Sequence, residues 1–469
     1  MQFHSVEYLF FLPLVFLLYW WQAASYRRQN LLLVVASYVF YGWWDWRFLL
    51  LIAFTSLTTY ASGLLIGRSV KPSRRKAFML GNVVLNLAIL GIFKYFNFFA
   101  GSVAELLQGF GIHADVVTLH LILPVGISFY TFQALSYSID VYRRQQAPCR
   151  DLIAFLAYIS FFPQLVAGPI ERSTHLLPQM QRRRVFCYGA AVDGLRQMLW
   201  GFVKKLIVAD TCAMAVDGIW QAPGQQSSLM LAVGAVLFSI QIYGDFSGYS
   251  DIAVGSARLF GIDLMQNFRT PYLSADIAQF WRRWHISLMT WLRDYVYIPM
   301  GGSRCSRVRQ LWNTLVVFLL SGLWHGAAWT FVCWGLFHAL LVMLSKLLRG
   351  IPVRVPLALR VIFTFSLVTF GWILFRAPDL TSFAFYLQRL FMAGSWTDIA
   401  TLTMGKTALC WGAAMLLVEG LQRHRLHALD LPPRGILRHR PARWALYYTL
   451  LLLIYFFHGQ QQTFIYFQF

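Results

Sequence analysis

Charged side chains are scarce in this sequence. Asp, Glu, Lys and Arg together supply only 13% of its 469 residues, and only 19 residues are acidic. A soluble globular domain carries about 25% charged residues, so an ordinary water-soluble fold is excluded. The chain is instead rich in apolar side chains, with 58% hydrophobic and 17% aromatic residues and a mean hydropathy of +0.55. We therefore predict an integral membrane protein.

Cysteine and the common catalytic signatures are also lacking. The chain has six cysteines, and they form no C-x-x-C pair, so the sequence predicts neither a disulfide framework nor a zinc centre. It contains no G-x-S-x-G, no H-E-x-x-H and no Walker loop. A serine-hydrolase elbow, a zinc-peptidase helix and a nucleotide-binding loop are therefore unsupported. We expect no metal and no bound cofactor.

Apolar runs that suit membrane helices recur along the whole chain. A transmembrane helix needs about 20 mostly apolar residues, and we count about ten to twelve candidate spans. They lie near 8–21, 31–46, 48–67, 77–93, 117–135, 152–169, 229–243, 311–323, 327–346, 357–375, 407–421 and 444–458. No internal repeat and no low-complexity linker separates them. The simplest organisation is one membrane-embedded domain over residues 1–469.

The basic excess of the chain indicates how these helices are oriented. Lys and Arg number 40, and the formal net charge is +21. In a membrane protein this excess points to cytoplasmic loops that face anionic lipid, rather than to a nucleic-acid surface. Arg27, Arg28 and the basic segment 71–76 place the N-terminus outside. The same counting fails at Arg172 and at 182–184, which predicts re-entrant or short helices in the middle of the chain.

The segment IQIYGDFSGYSDIAVG, residues 240–255, gathers polar side chains in an apolar context. Asp245, Ser247, Ser250 and Asp251 are costly in hydrocarbon unless they meet partners or water. The glycines of the segment permit a break in the helix or a close backbone approach. Two interpretations stay open: a polar packing patch, or the lining of a substrate passage.

A stretch rich in tryptophan and arginine follows this segment. Ser274 is a suitable N-cap for a helix there, and the glycine pair that begins at Gly301 marks the end of that helix. Trp284, Leu288 and Trp291 recur at helical spacing and are predicted to share one face. Because the helix is too charged to span a bilayer, we expect it to lie at the membrane interface or to dip partly into the protein.

Two histidines in this part of the chain each allow a structural and a chemical interpretation. His285 stands beside Arg282 and Arg283 in the predicted helix, where it either anchors the helix at the headgroup level or takes part in chemistry. His325 follows Trp324 in the apolar stretch SGLWHGAAWTFVCWGLFHAL. An imidazole at membrane depth needs either a hydrogen-bonding partner or a function.

A third histidine, His338, follows in the same apolar stretch. On one continuous helix, at about 100° per residue, it lies about 220° around the axis from His325. We therefore predict a structural role for His338. Because the sequence lacks motifs for a serine nucleophile, a metal or a nucleotide, the remaining catalytic role for His325 is that of a general base. A neutral imidazole in this role takes a proton from a hydroxyl that attacks an activated acyl group.

Several longer motifs together closely resemble the membrane-bound O-acyltransferases. They are LPVGISFYTFQALSYSIDVYR at 123–143, FFPQLVAGPI at 161–170, YGDFSGYSDIAVG, FWRRWHISLMTWLRDYVYIPMGG, GLWHG and the terminal FIYFQF. The resemblance runs from NLLLVVASYVFYGWW, residues 30–44, to the last residue. It is closest to the bacterial polysaccharide branch of the family, which includes the membrane subunit of alginate O-acetyltransferases.

The resemblance implies an all-α membrane fold, with a ring of helices around short or re-entrant central helices and a tunnel through the membrane. In the family the histidine of WHG is catalytic and the histidine of WHISL is its companion, which correspond to His325 and His285 here. The further substrate-binding candidates are Trp324 at the acyl slot, Arg282 and Arg283 at the donor phosphates, and Asp245 and Ser247 along the passage. Two alternatives stay open: the arginines anchor the chain at the membrane surface, and Trp324 only packs.

The implied function is that of a multi-pass acetyltransferase in the bacterial inner membrane, with a periplasmic N-terminus. Acetyl-CoA on the cytoplasmic side is the expected donor, as a substrate rather than a bound cofactor. The expected acceptor is an exported polysaccharide such as alginate or cellulose, reached through a periplasmic or membrane-anchored partner protein. Peptidoglycan is an alternative acceptor.

Two other function classes fit parts of the sequence. A multi-pass transporter is compatible with the intramembrane carboxylates, although the chain shows no paired repeats. A bis-histidine haem protein is compatible with the buried imidazoles, although haem ligation of that kind normally needs histidine pairs on facing helices. An absorption spectrum of the purified protein distinguishes the haem protein from the other two classes.

Overall fold

The computed structural model describes residues 1–112, 118–119, 121–166, 168–348, 355–392, 403–431, 435–460 and 462–465. Every regular element in these ranges is a helix, which confirms the all-α prediction. The last four residues of the motif FIYFQF lie outside the described residues. The chain divides into two compact units, which are Met1–Gly194 with Ser256–Met265 and Leu195–Gly255 with Gln266–Phe469. The single domain over residues 1–469 stays a prediction.

The first nine helices belong to the first unit. They are α1 Val6–Trp21, α2 Tyr26–Gly42, α3 Arg47–Arg68, α4 Pro72–Leu90, α5 Phe96–Gly109, α6 Ile127–Tyr142, α7 Leu152–Ser160, α8 Phe162–Leu165 and α9 Ser173–Met180. Buried polar side chains join some of them: the Asn82 amide of α4 donates to the Ser138 hydroxyl of α6 at 2.8 Å. Such interhelical hydrogen bonds are a common means of joining helices in lipid.

The remaining helices supply most of the second unit. They are α10 Tyr188–Phe202, α11 Asp210–Gln221, α12 Ser228–Leu259, α13 Ile277–Trp281, α14 Ile286–Leu292, α15 Arg307–His325, α16 Trp329–Leu347, α17 Leu357–Arg376, α18 Leu380–Met392, α19 Thr403–Leu421 and α20 Arg440–Phe457. A π-helical segment, Val203–Ala209, joins α10 to α11.

Five helical segments among the described residues are long and apolar enough to cross a membrane. They are Arg47–Arg68, Pro72–Gly109, Ser228–Leu259, Trp329–Leu347 and Leu357–Arg376. Most of the other predicted spans form shorter or more polar helices, such as α1 with 16 residues. The span predicted at 117–135 is helical only from Ile127 onward, and its residues 117 and 120 lie outside the described residues. The short helices α7 to α9, α13 and α14 confirm the prediction of short elements in the middle of the chain.

The polar segment 240–255 does not break its helix. α12 continues through it for 32 residues, up to Leu259. Its glycines instead allow close packing, because a Cβ atom on Gly248 would lie 2.8 Å from the carbonyl oxygen of Gly201 and 3.1 Å from the backbone nitrogen of Lys205. Of the two uses of glycine that the sequence allowed, close backbone approach is the one found here.

The prediction of a single helix after Ser274 is wrong. The structure has two short helices, α13 and α14, and the chain turns between them at His285, which adopts left-handed angles of φ 44° and ψ 53°. Asp276 rather than Ser274 caps α13, because its carboxylate accepts the backbone N–H of Gln279 at 2.7 Å. Trp284 precedes the turn, so it does not continue the face that α14 presents.

Helices α15 and α16 form a hairpin whose backbones lie close together. A Cβ atom on Gly322 would lie 2.2 Å from the carbonyl oxygen of Phe331, and one on Gly335 would lie 2.4 Å from the carbonyl oxygen of Phe318. Glycine is therefore required at both positions for this helix spacing. The hairpin determines where the end of α15 lies relative to α16.

The assumption that His325 and His338 share one helix is also wrong. Helix α15 ends at His325, Gly326 is extended at φ −161°, and His338 belongs to α16. The ring of His338 is fully buried, and its centroid lies 4.9 Å from that of Trp281 and 4.8 Å from that of Trp334. These contacts support a structural role for His338, which stays a prediction.

Candidate active site

His325 lies in an aromatic pocket at the end of α15. Its side chain is 4% exposed, and ring centroids of Trp324, Trp334 and Phe375 lie 5.0, 5.2 and 5.2 Å from its own, each in an edge-on arrangement. The three rings come from α15, α16 and α17. The edge-on contacts with three rings hold the imidazole in one orientation.

His285 takes its orientation from the turn that precedes α14. Its Nδ1 accepts the backbone N–H of Leu288 at 3.4 Å, so the imidazole acts as the N-cap of the helix. A nitrogen that accepts an N–H carries no proton, so the neutral ring holds its proton on Nε2. Among the described residues, Nε2 has no hydrogen-bonding partner. The ring therefore presents an N–H donor that is available to a substrate oxygen.

The left-handed backbone at His285 is strained and is held by its surroundings. A residue with a Cβ atom pays about 1–2 kcal/mol for this conformation. The next peptide is fixed by a hydrogen bond from the N–H of Ile286 to the carbonyl oxygen of Asn267 at 2.9 Å. The Asn267 side chain accepts from the Ser287 hydroxyl at 2.6 Å. Such strain persists where neighbouring structure fixes it, commonly at functional sites.

The structure brings the two predicted histidines together. Their ring centroids lie 6.4 Å apart with an interplanar angle of 70°. Trp324 contacts both, at 5.3 Å from the His285 ring and 5.0 Å from the His325 ring. At this separation one small acyl group can contact both imidazoles while the indole covers one side. Trp324 is thus placed where a wall of an acyl slot is expected.

A cavity of about 420 Å³ lies next to the residues that hold the His285 turn, because Asn267 lines it. Its lining includes Ser247, Ser250, Asn267 and Phe268. Asn267 donates to the Ser250 hydroxyl at 3.2 Å and also holds the turn of His285, as described above. The cavity wall and the histidine turn are therefore parts of one hydrogen-bonded structure.

The charges that line this cavity are unevenly distributed. Its basic side chains are Arg269, Arg423, His424, Arg425 and His427, which come from the chain after α12 and the chain after α19. Further in, Lys204 forms ion pairs with Asp251 at 2.5 Å and with Glu419 at 3.3 Å. The lining thus combines three arginines, whose guanidinium groups suit phosphate, with an ion-pair network in which both carboxylates are paired.

Arg282 and Arg283 do not line the cavity in the part of the chain that the structure describes. Arg282 is exposed and Arg283 is half-buried, and the guanidinium of Arg283 donates to the Leu273 carbonyl oxygen at 3.3 Å. Partial burial lowers the pKa of Arg283, and the neighbouring cations Arg282 and Arg423 lower it further. Arg283 therefore lies close enough to Arg423 to add to the positive field beside the cavity.

The two polar candidates on α12 have different surroundings. Ser247 lines the cavity. Asp245 points elsewhere: its carboxylate pairs with Lys205 at 2.9 Å and accepts the backbone N–H of Ile465 at 2.7 Å. Sequence reasoning missed Asn267 and the basic group around Arg423. Asn267 belongs to no recognisable motif. The only signal for the basic group around Arg423 is the density of basic residues at 423–425.

In the described ranges, no group of three or more His, Cys, Asp or Glu side chains is placed to hold a metal ion. Within the described residues, the rings of Phe246, Trp324, Trp334 and Phe375 pack against the histidine pair. The arrangement suits proton transfer and hydrogen bonding to a carbonyl group.

Comparison with known proteins agrees with this chemistry. Residues 148–377 match the model of the membrane-bound O-acyltransferase family. The chain is 42% identical over 366 residues to "Probable alginate O-acetylase AlgI" of Pseudomonas aeruginosa. The aligned region is 77% of this chain and 69% of that protein. It is also 34% identical over 377 residues to a peptidoglycan O-acetyltransferase of Helicobacter pylori, which covers 74% of this chain and 71% of the relative.

A more distant relative is the teichoic acid D-alanyltransferase of Bacillus subtilis, 30% identical over 280 residues, which covers 55% of this chain and 69% of that protein. The names of all three relatives describe acyl transfer: an alginate O-acetylase, a peptidoglycan O-acetyltransferase and a teichoic acid D-alanyltransferase. Both histidines of the candidate site fall within the part of the chain that matches the family model. The chain is an acyltransferase and belongs to the membrane-bound O-acyltransferase family.

Proposed function

We propose that this chain transfers acetyl groups across the inner membrane for the O-acetylation of an exported polysaccharide, with His325 as the general base and His285 as the hydrogen-bond donor to the thioester carbonyl. The observation that carries the proposal is the pair of buried imidazoles 6.4 Å apart, of which one presents an unpartnered Nε2 within the described residues. Alginate is the favoured class of acceptor, because the 42% identical relative is named for it. The peptidoglycan enzyme, at 34%, is more distant.

The proposed reaction uses His325 as a proton acceptor and His285 as a hydrogen-bond donor, and it needs no metal. His325 takes the proton from the acceptor hydroxyl as its oxygen bonds to the thioester carbonyl carbon. The carbonyl oxygen gains negative charge and is stabilised by the Nε2–H of His285; one such donor contributes about 10²–10³ in rate. The C–S bond then breaks, and the departing thiolate takes the proton from the imidazolium of His325.

Acetyl-CoA is the proposed donor, and the 420 Å³ cavity is its proposed binding site. Its phosphates suit the cations Arg269, Arg423 and Arg425, and Arg282 and Arg283 add positive charge nearby. Ser247 and the paired carboxylates offer hydrogen-bonding partners to the amides of its pantetheine arm. Because acetyl-CoA is too polar to cross a bilayer, we place this cavity on the cytoplasmic side.

The acceptor is proposed to lie on the opposite side of the inner membrane, with the N-terminus on that periplasmic side. His325 is buried among aromatic rings, which suits the approach of a small hydroxyl-bearing group better than that of a long glycan. We therefore propose a periplasmic or membrane-anchored partner protein that receives the acetyl group and passes it to the polymer. The membrane tunnel implied by the family provides the route.

The test is reconstitution of the purified protein in vesicles with labelled acetyl-CoA on one defined side and acceptors on the other. We expect transfer only when the donor is on the face opposite the N-terminus, and transfer to polysaccharide only when the partner protein is present. Labelling of free polysaccharide without a partner contradicts the relay. Transfer that requires the donor on the N-terminal face contradicts the direction.

A further inference from the structure

A buried ion-pair cluster lies beside the active site, and the proposed chemistry does not use it. Lys205, which is 1% exposed, sits 2.9 Å from carboxylate oxygens of both Asp210 and Asp245. Burying three charged groups is expensive, and replacing such clusters with apolar residues is often neutral or favourable for stability. A cluster of this kind therefore calls for a specific role.

The cluster binds backbone groups of residues 462–465, which we call the anchored segment. The ammonium of Lys205 donates to the carbonyl oxygen of Gln462 at 3.0 Å, and Asp245 accepts the N–H of Ile465 at 2.7 Å. Both contacts are charge-assisted hydrogen bonds, which are about twice as strong as neutral ones. The cluster thus fixes the anchored segment through its main chain, independently of side-chain identity there.

From the anchored segment, ring contacts lead to the candidate catalytic pair. Phe464 is fully buried, and its ring centroid lies 4.3 Å from that of Tyr249 and 6.1 Å from that of Phe246. The Phe246 ring lies 4.7 Å from the ring of His285 in an edge-on contact. Phe246 also follows Asp245 directly in α12. The side of the His285 ring that faces α12 is therefore packed by a residue whose position depends on the cluster.

We infer that Lys205 and Asp245 are positioning residues that anchor residues 462–465 against α12 and thereby hold the His285 imidazole at the reacting carbonyl. The inference rests on the proposed function of His285. Its physical basis is the strain at that residue. The backbone of the turn is fixed by Asn267, but the imidazole itself makes one long hydrogen bond, 3.4 Å to the N–H of Leu288, so packing against the ring is needed to keep it in one orientation.

The test combines kinetics with hydrogen exchange on the full chain in lipid nanodiscs. Asp245→Ala removes the acceptor of the Ile465 amide and leaves Lys205 paired with Asp210, so no buried cation is orphaned. We expect kcat for acetyl transfer to fall about ten-fold or more, since an error of about 1 Å in a catalytic group costs up to about 100-fold. We expect KM for acetyl-CoA to stay within two-fold, and the Ile465 amide to exchange much faster.

Two further variants separate anchoring from packing. Asp245→Asn keeps an acceptor oxygen for Ile465 and is expected to restore most of the kcat and of the amide protection. Phe246→Leu removes the ring that touches His285 but leaves the cluster intact, so we expect a loss of kcat with unchanged exchange at Ile465. This variant also carries the test if Asp245→Ala does not fold.

The matched control is Asp217→Asn, which removes another carboxylate of the second unit, one that pairs with Arg376 at 2.8 Å. We expect no change in kcat or in Ile465 exchange. Faster exchange in Asp245→Ala with wild-type kcat would show that the anchored segment does not position His285. A loss of kcat in that variant with normal exchange would show that Asp245 acts in another way.

Failure of the proposed function has a different signature. A wild-type protein that transfers no acetyl group refutes the acetyltransferase assignment itself, and the exchange experiment still reports on the anchor. In that case, unchanged Ile465 exchange in Asp245→Ala refutes the anchoring as well.

Discussion

The substitution Gly322→Ala, which adds a methyl group where α15 packs against α16, is expected to impair catalysis. The new Cβ atom would lie 2.2 Å from the carbonyl oxygen of Phe331. A carbon and a carbonyl oxygen in contact need about 3.3 Å, so the two helices must separate by about 1 Å. His325 lies one turn after Gly322 on α15, and its pocket is completed by Trp334 on α16, so the separation is transmitted to the site.

The expected result for Gly322→Ala is a fall in kcat of about 100-fold, because misplacement of a catalytic group by about 1 Å costs that much. Overpacking of this kind also costs about 1–3 kcal/mol in stability. The assay is acetyl transfer by the purified variant at saturating acetyl-CoA, with thermal unfolding measured on the same sample.

The matched control is Gly218→Ala on α11, where an added Cβ meets no atom within 4 Å. This change removes chain entropy from the unfolded state, so stability should rise by about 0.4–1 kcal/mol with no effect on kcat. A Gly322→Ala protein that is folded and keeps wild-type kcat would refute the argument that the hairpin spacing positions His325.

Four other variants, at three positions, test parts of the site. Arg423→Ala should raise KM for acetyl-CoA several-fold with little change in kcat. Because one phosphate contact is lost, KM should also depend less on salt than in the wild type. An unchanged KM contradicts the proposed donor site. Asn267→Leu should lower kcat, since it removes both side-chain hydrogen bonds around the His285 turn, whereas Asn267→Asp should retain the hydrogen bond from Ser287. Equal activity in the wild type and both variants contradicts the role of Asn267 in positioning that turn. His338→Ala should lower thermal stability more than it lowers kcat, and the reverse order contradicts its structural assignment.

The long apolar helices were predictable because their cause is local. The run at 357–375 corresponds to α17, Leu357–Arg376, and the run at 48–67 corresponds to α3, Arg47–Arg68. Length and hydropathy alone determine that such runs form helices in lipid. The all-α class and the family also followed from the sequence, through composition and the motifs.

The conformation at His285 was not predictable, because its cause is tertiary. Local spacing favoured one helix through it, yet the turn is held by hydrogen bonds from Ile286 and Ser287 to Asn267. The surroundings of Asp245 were hidden for the same reason: its partners Lys205 and Ile465 are distant in sequence. A carboxylate in an apolar helix signals only that some partner exists.

The central claim, that His325 is the general base of acetyl transfer, is tested most directly by single-turnover kinetics of His325→Ala. The variant should bind a non-hydrolysable acetyl-CoA analogue with wild-type affinity, because the proposed donor cavity does not include His325. Its rate of acetyl transfer should fall by about 10²–10⁴, the range expected for loss of a general base. The control His439→Ala, which changes an exposed histidine, should match the wild type. A rate for His325→Ala within ten-fold of the wild type, with normal analogue binding, would contradict the account.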